Sequence, residues 1–187
     1  MEQEHPHIKD LLEGCLRHDR ASQKLLYQQF YSYGMGICLR YGDNRDEASE
    51  ILNDGYMKLF SNLEKFDLTK PFKPWLRKIL VNTSINFYHK KQLQIHTEEI
   101  AKIHNVSSTE SILSGINYEE VVAHLQKLSP AYRTVFNLYV IEGYTHMEIA
   151  SKLQISVGTS KSNLFKAKEQ LKKILNDFFE ADYVRTR

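Results

Sequence analysis

Residues 142–170 read EGYTHMEIASKLQISVGTSKSNLFKAKEQ, and this stretch decides the fold of the second half of the chain. Thr145 and Glu148 have the spacing of a capping box, which predicts a short helix that ends near Leu153. A tight turn over residues 154–156 then leads into a longer second helix. Two helices joined by so short a turn predict a helix-turn-helix.

The second helix of this motif begins with small polar and basic side chains, which suit phosphates and base edges in the major groove of DNA. These side chains are Thr159, Ser160, Lys161, Ser162 and Asn163. Further lysines follow against the acidic Glu169, namely Lys166, Lys168, Lys172 and Lys173. The pattern favours DNA binding, and a lysine-rich solvated helix face is the alternative that it leaves open.

Helical spacing also runs through the first half of the chain. Apolar residues recur at steps of three and four in two sets: Leu26, Phe30, Tyr33, Ile37 and Tyr41, then Ala48, Leu52, Gly55 and Leu59. The second set predicts a helix that starts near Asp43 and Asn44, and Pro74 suits the first turn of a third helix. No alternating apolar run is long enough to predict a strand.

A second block of helices precedes the helix-turn-helix. One helix is expected from Tyr118 to Leu128, after which Ser129 and Pro130 suit the start of another that ends before Gly143. The sequence therefore predicts an all-α protein with two small helical domains joined by a linker, the second containing the helix-turn-helix. The expected bounds are an N-terminal segment at 1–20, a first domain at 21–91, a polar linker at 92–115 and a second domain at 116–187.

The composition limits the class of protein. Of 187 residues, 42% are hydrophobic and 26% are charged, which is the balance of a soluble globular chain. No apolar run reaches membrane-spanning length and the start of the chain lacks a signal-peptide core, so we expect a cytoplasmic protein without membrane insertion. Cys15 and Cys38 have no metal-ligand spacing, and no nucleotide-binding motif is present. No catalytic residue, metal site or cofactor is predicted.

A basic segment extends from Lys70 to His96 without any acidic residue. Its cations alternate with aromatic residues such as Trp75 and with the amides Asn82 and Asn86. Such a mixture suits single-stranded or distorted nucleic acid, although the aromatic residues are also explained as core.

An acidic segment lies on the helix before it. Asp43, Asp46, Glu47, Glu50 and Asp54 stand against the one arginine Arg45. Helical spacing predicts that Glu47, Glu50 and Asp54 share a face away from the apolar stripe. Carboxylates near a helix start favour the helix dipole, but Asp54 lies beyond the first turn. The segment therefore indicates either ordinary helix chemistry or a docking surface for a basic protein partner.

In this order, the segments resemble regions 2 and 4 of bacterial sigma factors of the extracytoplasmic-function class. The resemblance to region 2 rests on DEASEILND at 46–54 and WLRKILVNT at 75–83. The resemblance to region 4 rests on SPAYRTVFNL at 129–138, EGYTHMEIA at 142–150 and ISVGTSKSNL at 155–164.

The resemblance implies a role for each segment. The clamp helices of the largest subunit of core RNA polymerase would bind Asp46, Glu47, Glu50 and Asp54, with apolar support from Leu59. The minus-ten promoter element would meet Lys73, Arg77, Lys78, Asn82 and Asn86, and the loop at about 67–74 would hold a base flipped out of it. The minus-thirty-five element would face Thr159, Lys161, Ser162, Phe165 and Lys166.

The resemblance also implies further partners and a function. The partners are the flap of the second-largest subunit, promoter DNA as duplex and as non-template single strand, and an anti-sigma factor. The function is initiation of DNA-templated transcription with promoter opening, and not catalysis. A helix-turn-helix regulator that binds operators without polymerase is the alternative, and it leaves the acidic and basic segments unexplained.

Overall fold

The computed structural model describes residues 7–98 and 118–185, and within these ranges it is entirely helical. The helices are α1 (His7–Leu16), α2 (Arg20–Leu39), α3 (Arg45–Ser61), α4 (Phe72–Glu98), α5 (Tyr118–Gln126), α6 (Pro130–Phe136), α7 (His146–Leu153) and α8 (Val157–Arg185). A 3₁₀ turn at Leu63–Lys65 follows α3, and a π-helical turn at Asn137–Ile141 continues α6. The predicted all-α class is confirmed. None of the described helices is long and apolar enough to cross a membrane.

The chain divides into two compact units, residues 1–84 and 85–187, and the division falls inside α4. Residues 92–98 of the expected linker continue this helix, whereas 99–115 lie outside the described residues. The expected domain bounds stay a prediction.

The core of the first unit is formed by the predicted apolar stripes of α2 and α3 and by one face of α4. Leu26, Ile37, Leu52 and Leu80 are among its fully or nearly fully buried members. Gly55 of α3 lies close to α4, because a Cβ there would overlap Cδ2 of Leu80 and displace that side chain. The two helices thus approach closely at this point.

The N-terminal segment is more than a tail, since it contains α1. This helix buries Leu11, Leu12 and Cys15 and packs against α2 and the 3₁₀ turn. Asp19 caps α2 by accepting hydrogen bonds from the backbone N–H of Ala21 and from the N–H and hydroxyl of Ser22. These bonds hold the pKa of Asp19 below its usual value, the bonds from Ser22 contributing most.

The third predicted helix begins two residues earlier than expected, at Phe72 instead of Pro74. Pro74 still lies in the first turn, where a missing N–H costs no helical hydrogen bond. The early start follows from packing, because Phe72 is 1% exposed and packs its ring against those of Phe30 and Phe66, with centroids 5.0 and 5.9 Å apart.

The second unit contains the predicted helix starts and stops. Pro130 is the first residue of α6, although the Ser129 side chain makes no capping hydrogen bond. Gly143 ends the following π-helical turn with φ +77°, a conformation that favours glycine. The predicted capping box is present, since Thr145 accepts from the N–H of Glu148 while Glu148 accepts from the N–H of Thr145.

Candidate nucleic-acid interface and acidic helix face

Helices α7 and α8 form the predicted helix-turn-helix. Gln154 ends α7 in the left-handed conformation, with φ 55°, and the N–H of Ile155 donates to the carbonyl of Ala150 at 3.1 Å. Ser156 directly precedes α8 and caps it, since its hydroxyl oxygen accepts a hydrogen bond from the N–H of Thr159 at 2.9 Å. The turn is therefore fixed by hydrogen bonds at both ends.

The five residues predicted to face the minus-thirty-five element share one exposed side of α8. They are Thr159, Lys161, Ser162, Phe165 and Lys166. The opposite side is buried and consists of Ser160, Leu164 and Ala167. Phe165 is 66% exposed, which is unusual for an aromatic side chain and leaves its ring accessible to a base.

Ser160 departs from the sequence prediction, which placed its side chain with the exposed polar residues. It is 0% exposed, and its hydroxyl oxygen lies 2.9 Å from Nδ1 of His146. A serine looks the same in sequence whether it faces DNA or the core, so only its position on the buried side of α8 shows the difference.

Lysines of the second unit lie over tyrosine rings, a contact that sequence analysis missed. Lys152 Nζ is 4.9 Å from the ring centroid of Tyr144, and Lys168 Nζ is 6.0 Å from that of Tyr139. Lys166, one of the predicted DNA contacts, has its Nζ 5.9 Å from the centroid of Tyr132. Such contacts restrict where an otherwise flexible ammonium group can lie.

The residues predicted to meet the minus-ten element fall on two sides of α4. Lys78, Asn82 and Asn86 are spaced four apart and therefore follow one side of the helix. Lys73 and Arg77 form a second pair, more than a quarter turn away at about 100° per residue. The helix therefore does not bring all five onto a single face.

The loop before α4 is ordered by its own side chains. Asp67 accepts hydrogen bonds from the N–H and the hydroxyl of Thr69, at 3.0 and 2.7 Å, and its other oxygen lies 3.7 Å from Lys70 Nζ. The bonds from Thr69 hold the pKa of Asp67 below its usual value. Trp75 stacks on Phe66 beside this loop, with centroids 4.7 Å apart. These contacts give the loop a defined conformation beside the partly exposed indole of Trp75.

The acidic face of α3 consists of Asp46, Glu50 and Asp54, which are exposed and spaced four apart. Glu47 has a different surrounding, because its carboxylate accepts from the N–H of Asp43 at 2.9 Å and helps to cap the helix. Met57 was missed by sequence analysis. It is 70% exposed and lies one turn after Asp54, so it adds an apolar end to the face.

The expectation that Leu59 contacts a partner is wrong. Leu59 is 0% exposed and belongs to the core of the first unit. The spacing of apolar residues placed it correctly in the apolar stripe of α3. A side chain that is fully buried in the core cannot contact a partner.

Neither cysteine has the exposed, readily ionised thiol that a reactive cysteine needs, because both are buried. Burial raises the pKa of the Cys15 thiol to about 11 and that of Cys38 to about 12. Among the residues that the structure describes, no group of three His, Cys, Asp or Glu side chains could hold a metal ion.

Comparison with known proteins identifies both units. The family model described as Sigma-70 region 2 matches residues 26–94, and the model described as Sigma-70, region 4 matches residues 118–171. The ECF RNA polymerase sigma factor SigW of Bacillus subtilis is 29% identical over 153 residues, which are 75% of this chain and 82% of SigW. The RNA polymerase sigma-H factor of Pseudomonas aeruginosa is 24% identical over 179 residues, covering 89% of this chain and 93% of that one.

The fold is also that of a solved relative. The sigma factor RpoE from Bartonella quintana, in a co-crystal structure with the anti-sigma factor NepR, matches with a TM-score of 0.53 and 20% identity, over 82% of this chain and 96% of RpoE. Both sigma regions are present in the expected order, on the helices that carry the acidic face, the basic segment and the helix-turn-helix. The chain therefore belongs to the extracytoplasmic-function class of RNA polymerase sigma factors and acts in the initiation of transcription.

Proposed function

We propose that each surface of this sigma factor has a separate role. Core polymerase binds the face of α3 formed by Asp46, Glu50, Asp54 and Met57. The minus-ten element binds at the 67–71 loop and along α4. The minus-thirty-five element binds the exposed side of α8. The observation that carries this proposal is the division of α8 into a buried side and an exposed side, which has two hydroxyl and two lysine groups around one exposed aromatic ring.

The α8 surface suits duplex DNA. Lys161 and Lys166 can each neutralise a phosphate, whereas Thr159 and Ser162 can donate to or accept from base edges. Phe165 can contact the methyl group of a thymine. A solvated lysine face needs no exposed phenylalanine, so this residue favours DNA binding over that alternative.

The α3 surface suits a basic helical partner. Three carboxylates along one exposed side of a helix steer a positively charged surface towards it, and Met57 offers an adaptable apolar contact at the end. We propose the clamp helices of the largest polymerase subunit as that partner, and the flap of the second-largest subunit as a partner of the second unit.

The basic side of α4 suits an unpaired strand. Lys78 is followed at steps of four by two amides, Asn82 and Asn86, that can hydrogen-bond to an unstacked base. The ordered loop at Asp67 and Thr69 would receive the flipped base. Capture of that base opens the promoter without ATP, because the contacts of the base with this loop offset the free energy lost when it unstacks.

Two further statements complete the proposal. Since RpoE of Bartonella quintana is seen with an anti-sigma factor, we expect a protein of that class to hold this chain inactive until a signal arrives. The chain performs no catalysis and works in the cytoplasm, where core polymerase meets promoter DNA.

A binding experiment tests the proposal. A pool of promoter-sized duplexes is selected on core polymerase plus this chain, and fluorescence anisotropy then measures the affinity of one selected duplex for the chain alone, for core alone and for both. We expect tight binding only with both, because core polymerase makes the two DNA contacts bivalent. Equally tight specific binding by the chain alone would favour a helix-turn-helix regulator instead.

A further inference from the structure

Ser160 is a polar residue in an otherwise apolar position. It shares the buried side of α8 with Leu164 and Ala167, and none of its surface is exposed. Its two neighbours in sequence, Thr159 and Lys161, are exposed and belong to the proposed DNA surface. A buried hydroxyl must have a hydrogen-bond partner, so whatever binds Ser160 also determines where the start of α8 lies.

That partner is His146, the first residue of α7. Its Nδ1 lies 2.9 Å from the hydroxyl oxygen of Ser160, and either atom can supply the proton, depending on the imidazole tautomer. The imidazole is itself held by Tyr139, since the two rings stack with centroids 4.5 Å apart and planes 25° apart. Tyr139 belongs to the π-helical turn after α6. Three elements of the second unit are therefore joined at one point beside the proposed DNA surface.

A hydrogen bond at this point sets the rotation of α8 in a way that apolar packing does not. Leu164 and Ala167 tolerate small rotations, whereas an N···O bond requires a distance and a direction. With a radius of about 5–6 Å to the side chains, a rotation of about 20° moves the groups of Thr159 and Lys161 by about 2 Å. Such a displacement removes a base contact, because binding groups must be held to about 0.5 Å.

We infer that His146 is a positioning residue for minus-thirty-five recognition, which it controls through Ser160 without touching DNA itself. The inference rests on the proposed function of α8. It adds a specificity-determining contact between α7 and α8, the hydrogen bond of His146 to Ser160. Tyr139 holds the imidazole in place for this bond by stacking on it.

Four variants and a matched control test this role in holoenzyme made from the full chain and core polymerase. Ser160→Ala removes one partner, and His146→Phe keeps a ring against Tyr139 but removes the other. The double variant removes both, so that no buried polar atom is left without a partner and stability is expected to recover. Ser151→Ala, which removes an exposed hydroxyl from α7, is the control.

The measurement is run-off transcription from a selected promoter and from the same fragment with its minus-thirty-five element scrambled. The ratio of the two yields is the specificity at that element. We expect each single variant to lower the ratio about five- to tenfold, as the loss of one oriented hydrogen bond predicts. We expect the double variant to regain the thermal midpoint of the unmodified chain while its ratio stays low. His146→Asn, which places an amide near the position of Nδ1, should recover much of the ratio.

The outcomes separate positioning from a purely structural role. If the ratio recovers with the thermal midpoint in the double variant, or if folded single variants keep the original ratio, the inference is wrong. An equal loss of transcription from both fragments also contradicts it. The yield of the unmodified chain with core polymerase reports on the proposed function separately, because it does not depend on any variant.

Discussion

Asn44 and Glu47 cap the start of α3 together. The Asn44 side-chain oxygen accepts from the N–H of Glu47 at 2.9 Å, and the Glu47 carboxylate accepts from the N–H of Asp43 at 2.9 Å. Glu47 is therefore tied to the helix start, whereas Asp46, Glu50 and Asp54 project from the exposed side of the same helix. The acidic segment thus combines helix capping by Glu47 with a separate exposed face, which we propose as the docking surface.

This arrangement predicts that the acidic residues separate into two classes on mutation. Glu47→Ala should lower the free energy of unfolding by about 1 kcal/mol, the usual effect of losing a cap. Asp46→Asn, Glu50→Gln and Asp54→Asn combined should leave unfolding nearly unchanged but lower the affinity for core polymerase at least tenfold, chiefly through the association rate. Urea unfolding and binding of labelled chain to core measure the two effects. A triple variant that binds core normally would contradict the docking role.

Met57 provides a related prediction about the apolar end of this face. Met57→Ser should weaken binding to core polymerase severalfold with little effect on stability, because the side chain is 70% exposed. Leu59→Ala is the comparison, and it should lower the free energy of unfolding by about 2–5 kcal/mol because it leaves a cavity. If Leu59→Ala weakened binding to core polymerase without loss of stability, and Met57→Ser lowered stability instead, Leu59 would be the contact and Met57 would not.

The acidic face also shows how far the sequence could determine the site. Spacing placed Glu50 and Asp54 on one side of α3, but it put Glu47 with them where the structure has Asp46, because it does not reveal that the Glu47 carboxylate turns back to the N–H of Asp43. Spacing also placed Leu59 in the apolar stripe, and its role as a partner contact came from the resemblance alone, whereas Met57 was missed because a single apolar residue outside the stripe has no periodic signal. Ser160 is a similar case, in which the partner that buries the hydroxyl is fourteen residues away.

The fold was more predictable, because its determinants are local. The helix start near Asp43 and Asn44, the capping box at Thr145 and the stop at Gly143 are defined by residues within one helical turn, and the structure confirms each of them. The early start of α4 was missed because the burial of Phe72 depends on contacts with Phe30, which is distant in sequence.

Asn82→Ala should weaken promoter opening more than initial binding. The proposed role of Asn82 is to hold an unstacked base, which exists only after the strands separate. Potassium permanganate reactivity of unpaired thymines reports opening, and anisotropy at low temperature reports the closed complex. Lys78→Ala is the comparison, since loss of a phosphate contact should weaken both steps. Equal losses in the two assays for Asn82→Ala would contradict its role.

Removal of Lys161 or Lys166 should weaken holoenzyme binding to all promoter sequences alike. Each lysine is proposed to neutralise one phosphate, so each alanine variant should reduce the slope of log affinity against log salt by about 0.9. Phe165→Ala should leave that slope unchanged and reduce discrimination at a single base pair. A change of sequence preference in the lysine variants would show that they read bases instead.

We expect His124 to make the stability of the second unit depend on pH. The residue is 9% exposed and packs its ring against Phe178, with centroids 5.1 Å apart. Burial, followed by the charge of Lys127, lowers the pKa of His124 below 6.5, although Glu120 opposes the shift. The folded unit then binds fewer protons than the unfolded chain, so this group favours folding above pH 6.5 and the advantage is lost as the pH falls below that value. The thermal midpoint should fall less between pH 7.5 and pH 5.5 for His124→Leu than for the unmodified chain. An equal fall in the two proteins would contradict this role of His124.

The central claim is that this chain gives core polymerase its promoter specificity. The most direct measurement is run-off transcription by sigma-free bacterial core polymerase on a library of promoter fragments, with and without the chain. We expect discrete transcripts that require the chain, arise from fragments sharing two spaced elements, and disappear with the triple acidic variant. The absence of any chain-dependent transcript from active core polymerase would contradict the claim.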